Sequence, residues 1–553
     1  MKKLILAGVA ATVAMAGINA QAVPVPLNAN GTPNIPAVLG SVAETFMTGS
    51  SAATPFIVAA MRNGGCATGA PIYRYSDTTA GSFAFLCEKS AGFGAVTQNF
   101  LLLHKRDGGG SLNAVRAADS TLPQANSQVF IVNADLANVT TCGVASGATL
   151  VSTCSGGTIA ATNSRGRVSE AGFADVDPAQ FTSPLNGGAV LGGSVVSTAI
   201  ATQTFGIAVN TRLRNAMQGA AVAAGVLPAS CLVANGIGAA VAPNSQESEE
   251  CMPSLTRSQI SSIFAQGRVT DWAQLAYGNT AANQRLFTTN TAVLAAADRP
   301  ANRDIHICTR TAGSGTLATF QIKFEDAPCN GGLNEAIQTA TSQTLGTEIG
   351  ASGSSKVVHS MSGAGDVESC LEGLNNGTAV GTFNVGGAAP FSSFRWAIGI
   401  QGVERNTDGS RAYRFIKIDN VSPSAHNVAE GRYPDWAELV AVSASATITT
   451  DPLASAIVTT MSNPATIGSF LNVTHTWGGI AGFLGVATNS AFAPTSTALI
   501  APGTLLNAGF DAARPVNPYS HSASNGQDLN HCRLPTIPGG QTRAIPAFYP
   551  VYK

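Results

Sequence analysis

The sharpest local signal for chemistry is Arg310-Thr311-Ala312-Gly313-Ser314-Gly315-Thr316. It lies between an apolar run, Ile305 to Cys308, and a stretch that reads as a helix through Phe324. Backbone N–H groups at a helix start, with the dipole behind them, make an anion site. Gly313 and Gly315 let a ligand approach the backbone closely. The hydroxyls of Ser314 and Thr316 add donors, and Arg310 adds a charge-assisted, bidentate one. An ordinary capped helix start has the same composition. Two more turns are built alike: Gly49-Ser50-Ser51-Ala52-Ala53-Thr54, and Gly108-Gly109-Gly110-Ser111. Three such turns can converge on one anion, with Ser51, Thr54 and Ser111 as further donors. Gly172-Phe173-Ala174-Asp175 brings an acid. An acid beside an anion is consistent when the anion carries a proton that the carboxylate accepts. That favours hydrogen phosphate over sulfate. The simpler role for Asp175 is a helix N-cap.

Other chemistries have weaker support. The seven histidines are scattered, and none shows HxxxH or HxxE spacing. There is no CxxC and no Cys/His ligand spacing, so no metal and no other cofactor is expected. Ser314 lacks a G-x-S-x-G setting, because Ala312 and Thr316 occupy the glycine positions. A phosphoester hydrolase therefore has neither a visible metal set nor an activated nucleophile. Trp272 and Trp436 read as core or interface aromatics.

The elements that must position these residues fit a chain of 553 residues, 45% hydrophobic and only 11% charged. That length holds two or three domains or lobes. A formal net charge of −1 excludes a general polyanion binder, so no nucleic acid is expected as a partner. The low charge suits a rigid exported protein, or one that packs against copies of itself. Residues 1–22 read as a secretory signal: Lys2 and Lys3, an apolar Leu4 to Gly17, then Ala20-Gln21-Ala22 before cleavage. The apolar run is short for a membrane span. A periplasmic or secreted location follows. Ten cysteines then imply disulfides. Cys66/Cys87, Cys142/Cys154 and Cys231/Cys251 are the close pairs. Cys308, Cys329, Cys370 and Cys532 can pair in three ways.

Strand, glycine-rich turn and helix recur along the chain, which argues an α/β architecture. The turn at 49–52 opens a helix through Met61. Phe100 to Leu103 and Thr204 to Asn210 read as buried strands. Leu255 to Leu275 reads as a helix and then a turn, the helix capped by Ser254 or Thr256, with Ile260, Ile263 and Phe264 on one face. Residues 112–165 are polar and look like an insertion. The region after about Val440 gives no clear pattern.

Taken in order, these motifs resemble the periplasmic phosphate-binding protein of bacterial phosphate ABC importers. LTRSQISSIFAQGRVTDW resembles that family's helix and glycine–basic–hydrophobic–polar–Trp turn. IHICTRTAGSGT resembles its phosphate loop, TFGIAVN its interlobe strand, and Tyr413 to Trp436 a long closing segment. The resemblance covers about 49–440. It implies a non-enzymatic, two-lobed clamp of the type II periplasmic-binding-protein fold, with inorganic phosphate or a similar oxyanion in the cleft. An ABC permease is then a candidate partner. Carried over by motif, Arg310, Ser314, Gly315 and Thr316 match the phosphate loop. Asp175 matches the proton-accepting acid, and Ser111 the serine of the second glycine-rich turn. Ser51 and Thr54 fall near the first turn's ligands. Ala312 stands where the family's loop usually has Asp. The implied lobes are 23–205 with 440–553, and 206–439. A structural or surface-associated protein that uses the clamp as a scaffold is the competing reading.

Overall fold

A computed structural model describes residues 22–77, 81–119, 121–122, 129–159, 161–162, 169–192, 195–265, 268–276, 286–287, 296–301, 303–329, 356–381, 383, 394–444, 450–486, 510–524 and 527–536. The expected signal segment falls almost wholly outside them.

Among these residues, one extended sheet organises the chain. Its strands are β1 (Val42–Gly49), β2 (Ile72–Asp77), β3 (Ser82–Glu88), β4 (Phe100–Arg106), β5 (Val151–Ser155), β6 (Ala171–Ala174), β7 (Val195–Asn210), β8 (Ile305–Arg310), β9 (Lys356–Met361), β10 (Ala397–Gly402) and β11 (Trp436–Ala444). The spatial order is β9-β8-β10-β7-β11-β6-β1-β4-β3-β2-β5. β1 runs parallel to β4 and β6, and β8 runs parallel to β9 and β10. These strands are buried along most of their length, as strands covered on both faces are. β4 (FLLLHKR) is the clearest case, with its first six residues buried.

β7 joins the two halves. Residues 195–204 pair antiparallel with β11, and residues 205–209 pair antiparallel with β10. TFGIAVN, expected as one buried strand, is thus the end of a 16-residue strand that changes partner at Phe205. Tyr433 pins that point by donating its hydroxyl to Phe205 O at 2.9 Å.

The helices that matter for the cleft are α1 (Ala53–Ala60), α2 (Ser111–Ala118), α3 (Thr211–Ala223), α4 (Arg257–Phe264), α5 (Gly315–Glu325) and α6 (Ala364–Asn376). α4 starts with a reciprocal cap between Thr256 and Gln259, so Thr256 rather than Ser254 is its N-cap. Ile260, Ile263 and Phe264 are buried, as their spacing predicts. α2 is buried along most of its length. The stretch expected as an insertion therefore opens on a core helix before its polar part begins.

Each half has its own apolar core. One gathers Phe56, Leu101, Phe173 and Phe483; the other gathers Phe264, Trp272, Phe320, Trp396 and Trp436. A third cluster crosses between them, joining Leu112 and Val115 of α2 to Phe205 and to Ala318 and Ile322 of α5. Burial of apolar side chains is worth roughly 1.5–3 kcal/mol for a large one, so this bridge favours a closed arrangement. Cys66–Cys87, Cys142–Cys154 and Cys231–Cys251 are bonded, and the remaining four cysteines form Cys308–Cys370 and Cys329–Cys532. Among the described residues, no helix is long and apolar enough to cross a membrane.

Candidate functional site

Two helix starts meet where the halves close. Gly110 precedes α2 at φ +66°, a conformation that glycine adopts without strain. Leu112 N–H, in the first turn of α2, donates to Gly313 O at 2.9 Å. Gly313 N–H in turn donates to the buried Asn186 Oδ1 at 3.0 Å. The Arg310–Thr316 loop is therefore clasped directly by the opposite half. Ser314 caps its own helix by accepting from Leu317 N–H, and Thr316 is buried in the first turn of α5.

Asp175 follows β6 and is buried against this junction. Its backbone N–H donates to Ser111 Oγ at 3.2 Å, and Ser50 and Ser111 stand close enough to favour the charged carboxylate. A Cβ placed on Gly315 would lie 2.5 Å from Ser111 Oγ and 2.6 Å from Asp175 Oδ2. Ser111, Asp175, Ser314 and Gly315 are thus brought together. Gly315→Ala is expected to force the two helix starts apart, at about 1–3 kcal/mol. Urea unfolding checks this; an unchanged midpoint would mean the contact does not form in solution.

Burial pushes the Asp175 carboxyl up from its ordinary range, against the pull of Ser50, Arg310, Lys105 and Ser111. Burial likewise lowers Arg310, opposed by Asp175 and Asp366. The Arg310 guanidinium donates from Nη2 to Ser362 O at 3.0 Å. Its Nε and one carboxylate oxygen of Asp175, Oδ1, are buried without a hydrogen-bond partner. Where the family's loop has an acid, Ala312 offers none, and Asp366 at the start of α6 faces Arg310 instead.

Ser51 and Thr54 stand elsewhere. They line a cavity of about 740 Å³ that opens beside the junction. The Thr54 hydroxyl is committed to Asp107, at 2.7 Å from Oδ1. Asp107 also accepts from Lys105 Nζ at 2.6 Å. That buried lysine donates to Gly49 O and Ser50 O, both at 3.1 Å, and so fixes the first glycine turn. Sequence reasoning missed Ser50, Lys105 and Asn186. Ser50 lies within a quoted turn, whereas the other two act only through contacts distant in sequence.

A second buried group lies behind the junction. Glu438, His521 and His531 place ligand-type atoms within 4.8 Å of one another. His521 Nε2 faces Lys323 Nζ at 2.9 Å, so its Nδ1 carries the proton and donates to Glu438 Oε2 at 2.7 Å. His531 accepts from Asp177 N–H at Nδ1, at 3.1 Å, and from Glu438 N–H at Nε2, at 3.2 Å, and its Nε2 lies 3.1 Å from Glu438 Oε2. Burial opposes ionisation of Glu438, but the two imidazoles outweigh it and hold the acid well below its usual range. The geometry is that of an anchored carboxylate. A metal on His521 Nδ1 would turn its Nε2–H against Lys323. No sequence spacing could have revealed this group.

The comparisons agree with the fold. Residues 209–456 match the profile described as the PBP superfamily domain. Similar solved structures include a candidate phosphate ABC transporter substrate-binding protein from Clostridium perfringens with bound phosphate. It is 13% identical, covers 78% of this chain and 99% of that one, and has a TM-score of 0.35. PstS from Borrelia burgdorferi is 9% identical over 80% of this chain and 98% of that one, with a TM-score of 0.30. An ABC-type phosphate transport receptor from Vibrio cholerae is 13% identical over 52% and 74%, with a TM-score of 0.25. No curated protein matches the chain. Residues 209–456 are thus similar to a PBP superfamily domain, within a fold that the structure shows to be mixed α/β.

Proposed function

We propose that the chain is an exported, non-enzymatic phosphate- or oxyanion-binding protein. Its anion is held at the interlobe junction between lobe one (23–205 with 440–553) and lobe two (206–439). The observation that carries this reading is the pair of buried, unpartnered atoms, Asp175 Oδ1 and Arg310 Nε. Buried polar groups are rarely left unpaired. A ligand that both donates and accepts a hydrogen bond satisfies both atoms, and hydrogen phosphate does so. Ser111, Ser314, Gly315 and Thr316 form the surrounding wall, and Ser51 and Thr54 its approach. Opening of the clamp by hinge motion admits the anion. An ABC permease is the partner that this role calls for.

The scaffold reading has one observation of its own. The halves already touch through Leu112 N–H to Gly313 O and through the shared cluster around Phe205. Calorimetric titration of the purified protein with phosphate, arsenate and sulfate decides between them. Binding of phosphate and arsenate is expected, with sulfate weaker. No binding of either at millimolar concentration leaves the scaffold role.

A further inference from the structure

The open volume of the cleft does not lie on the clasped loop. It lies beside it, in the cavity of about 740 Å³. That size is in the range of clefts that bury a drug-sized ligand, roughly 300–1,000 Å³, and far exceeds what a free phosphate fills. Its lining includes Ser51, next to Ser50, and Ser362, whose carbonyl accepts from Arg310, so the cavity adjoins the junction.

The walls have two characters. Arg74 of β2, Arg106 of β4 and Arg405, just beyond β10, bring guanidinium groups from both halves. The acids among the lining, Asp107 and Asp366, are already engaged. Asp107 serves Lys105 and Thr54, and Asp366 accepts from Gly363 N–H at the start of α6. Arg405 pairs with Glu368 Oε2 at 2.6 Å and also feels the buried Glu404 carboxyl. The Nε groups of Arg74 and Arg405 are buried without a partner. Arg74 and Arg405 also repel each other across the space, which lowers Arg74 beyond the effect of burial. An anion between them removes that repulsion. The rest of the wall is apolar: Phe83 and Phe85, with ring centroids 6.4 Å apart, and Phe470. The Arg74 guanidinium lies 4.8 Å over the Phe83 ring, so the cationic and aromatic faces adjoin.

We propose that the cleft takes an organic phosphate, a phosphomonoester with an aromatic or similarly flat apolar part, in preference to free phosphate. The phosphoryl group lies where the cavity adjoins the Asp175–Arg310 junction, with Arg74 and Arg405 as further cations. The organic part packs on Phe83, Phe85 and Phe470. This rests on the phosphate-binding reading above and narrows its ligand.

The test is calorimetric titration of the full-length mature protein with phenyl phosphate, inorganic phosphate and phenol. Phenyl phosphate is expected to bind about tenfold to a hundredfold tighter than inorganic phosphate, from ring burial. Phenol is expected to bind weakly or not at all. Arg74→Gln should lose about tenfold or more for phenyl phosphate. Arg405→Gln is the second variant should Arg74→Gln fail to fold, and circular dichroism shows which are intact. Inorganic phosphate binding as tightly as the ester would overturn this proposal and leave the phosphate reading standing. Phenol matching phenyl phosphate would also overturn it, since the charge would then contribute nothing. Failure of all phosphates to bind would sink both.

Discussion

Asp175→Asn is expected to bring sulfate binding close to phosphate binding. In the wild type, fully ionised sulfate meets the Asp175 carboxylate. Like charges so placed cost several kcal/mol, and about 3 kcal/mol corresponds to more than about a hundredfold in affinity. The asparagine amide can donate where the carboxylate only accepts. Sulfate then gains a hydrogen bond, and hydrogen phosphate loses the acceptor of its proton. Arg310→Ala should behave differently, weakening both anions together by about 1.5–3 kcal/mol, or roughly tenfold to a hundredfold. The pH dependence has a definite sign. Burial raises Asp175 above the ordinary carboxylate range. As pH falls through that raised value the acid gains a proton and becomes a donor, so sulfate rejection fades. Above it, rejection is complete. Competition isotherms of the two anions across pH measure this directly. Equal affinities in the wild type at neutral pH would remove Asp175 from the discrimination.

How much of this was legible depended on how local the information was. The Arg310–Thr316 loop and the capped start of α4 carry their signals within a few residues, and both elements form as the spacing predicts. The three close cysteine pairs are legible for the same reason. Asp175 and Ser111, 64 positions apart, are linked by the converging glycine turns and by the family resemblance, and they meet. Arg74 and Arg405 gave no signal. Each is an ordinary arginine beside a strand until the sheet's two halves bring them to one cavity. The region after about Val440 gave no pattern, yet among its described residues two helices, Pro452–Met461 and Pro464–Phe470, pack into one of the cores. Other contacts there are distant: Asn517 donates to Thr202 Oγ1 at 3.2 Å, and Cys532 bonds Cys329 across 203 positions.

Ser520 and His521 of that segment hold Glu438, and Glu438→Gln is expected to cost about 3–5 kcal/mol of stability. Glu438 Oε1 accepts from Ser520 Oγ at 2.9 Å and from His521 N–H at 2.8 Å. Oε2 accepts from His521 Nδ1 at 2.7 Å and lies 3.1 Å from His531 Nε2. Ser520, His521 and His531 are all buried. A glutamine amide, in either orientation, turns its own N–H groups toward a donor among them. The loss spreads to both halves, because His531 holds Asp177 N–H of the first and His521 accepts from Lys323 of the second. The pH sign follows from the direction of the shift. The folded pKa of Glu438 is depressed. Its contribution is therefore fully present above the unfolded value of about 4.3, and it is lost as pH falls through the folded one. Wild type and Glu438→Gln should differ most at neutral pH and converge in acid. Urea unfolding at several pH values reads this out, and a chelator should leave the wild-type midpoint unmoved. A variant within about 1 kcal/mol of wild type at neutral pH, well under the cost of a broken buried pair, would show that the carboxylate is not the anchor. A midpoint that drops on chelation would show that the two imidazoles hold an ion.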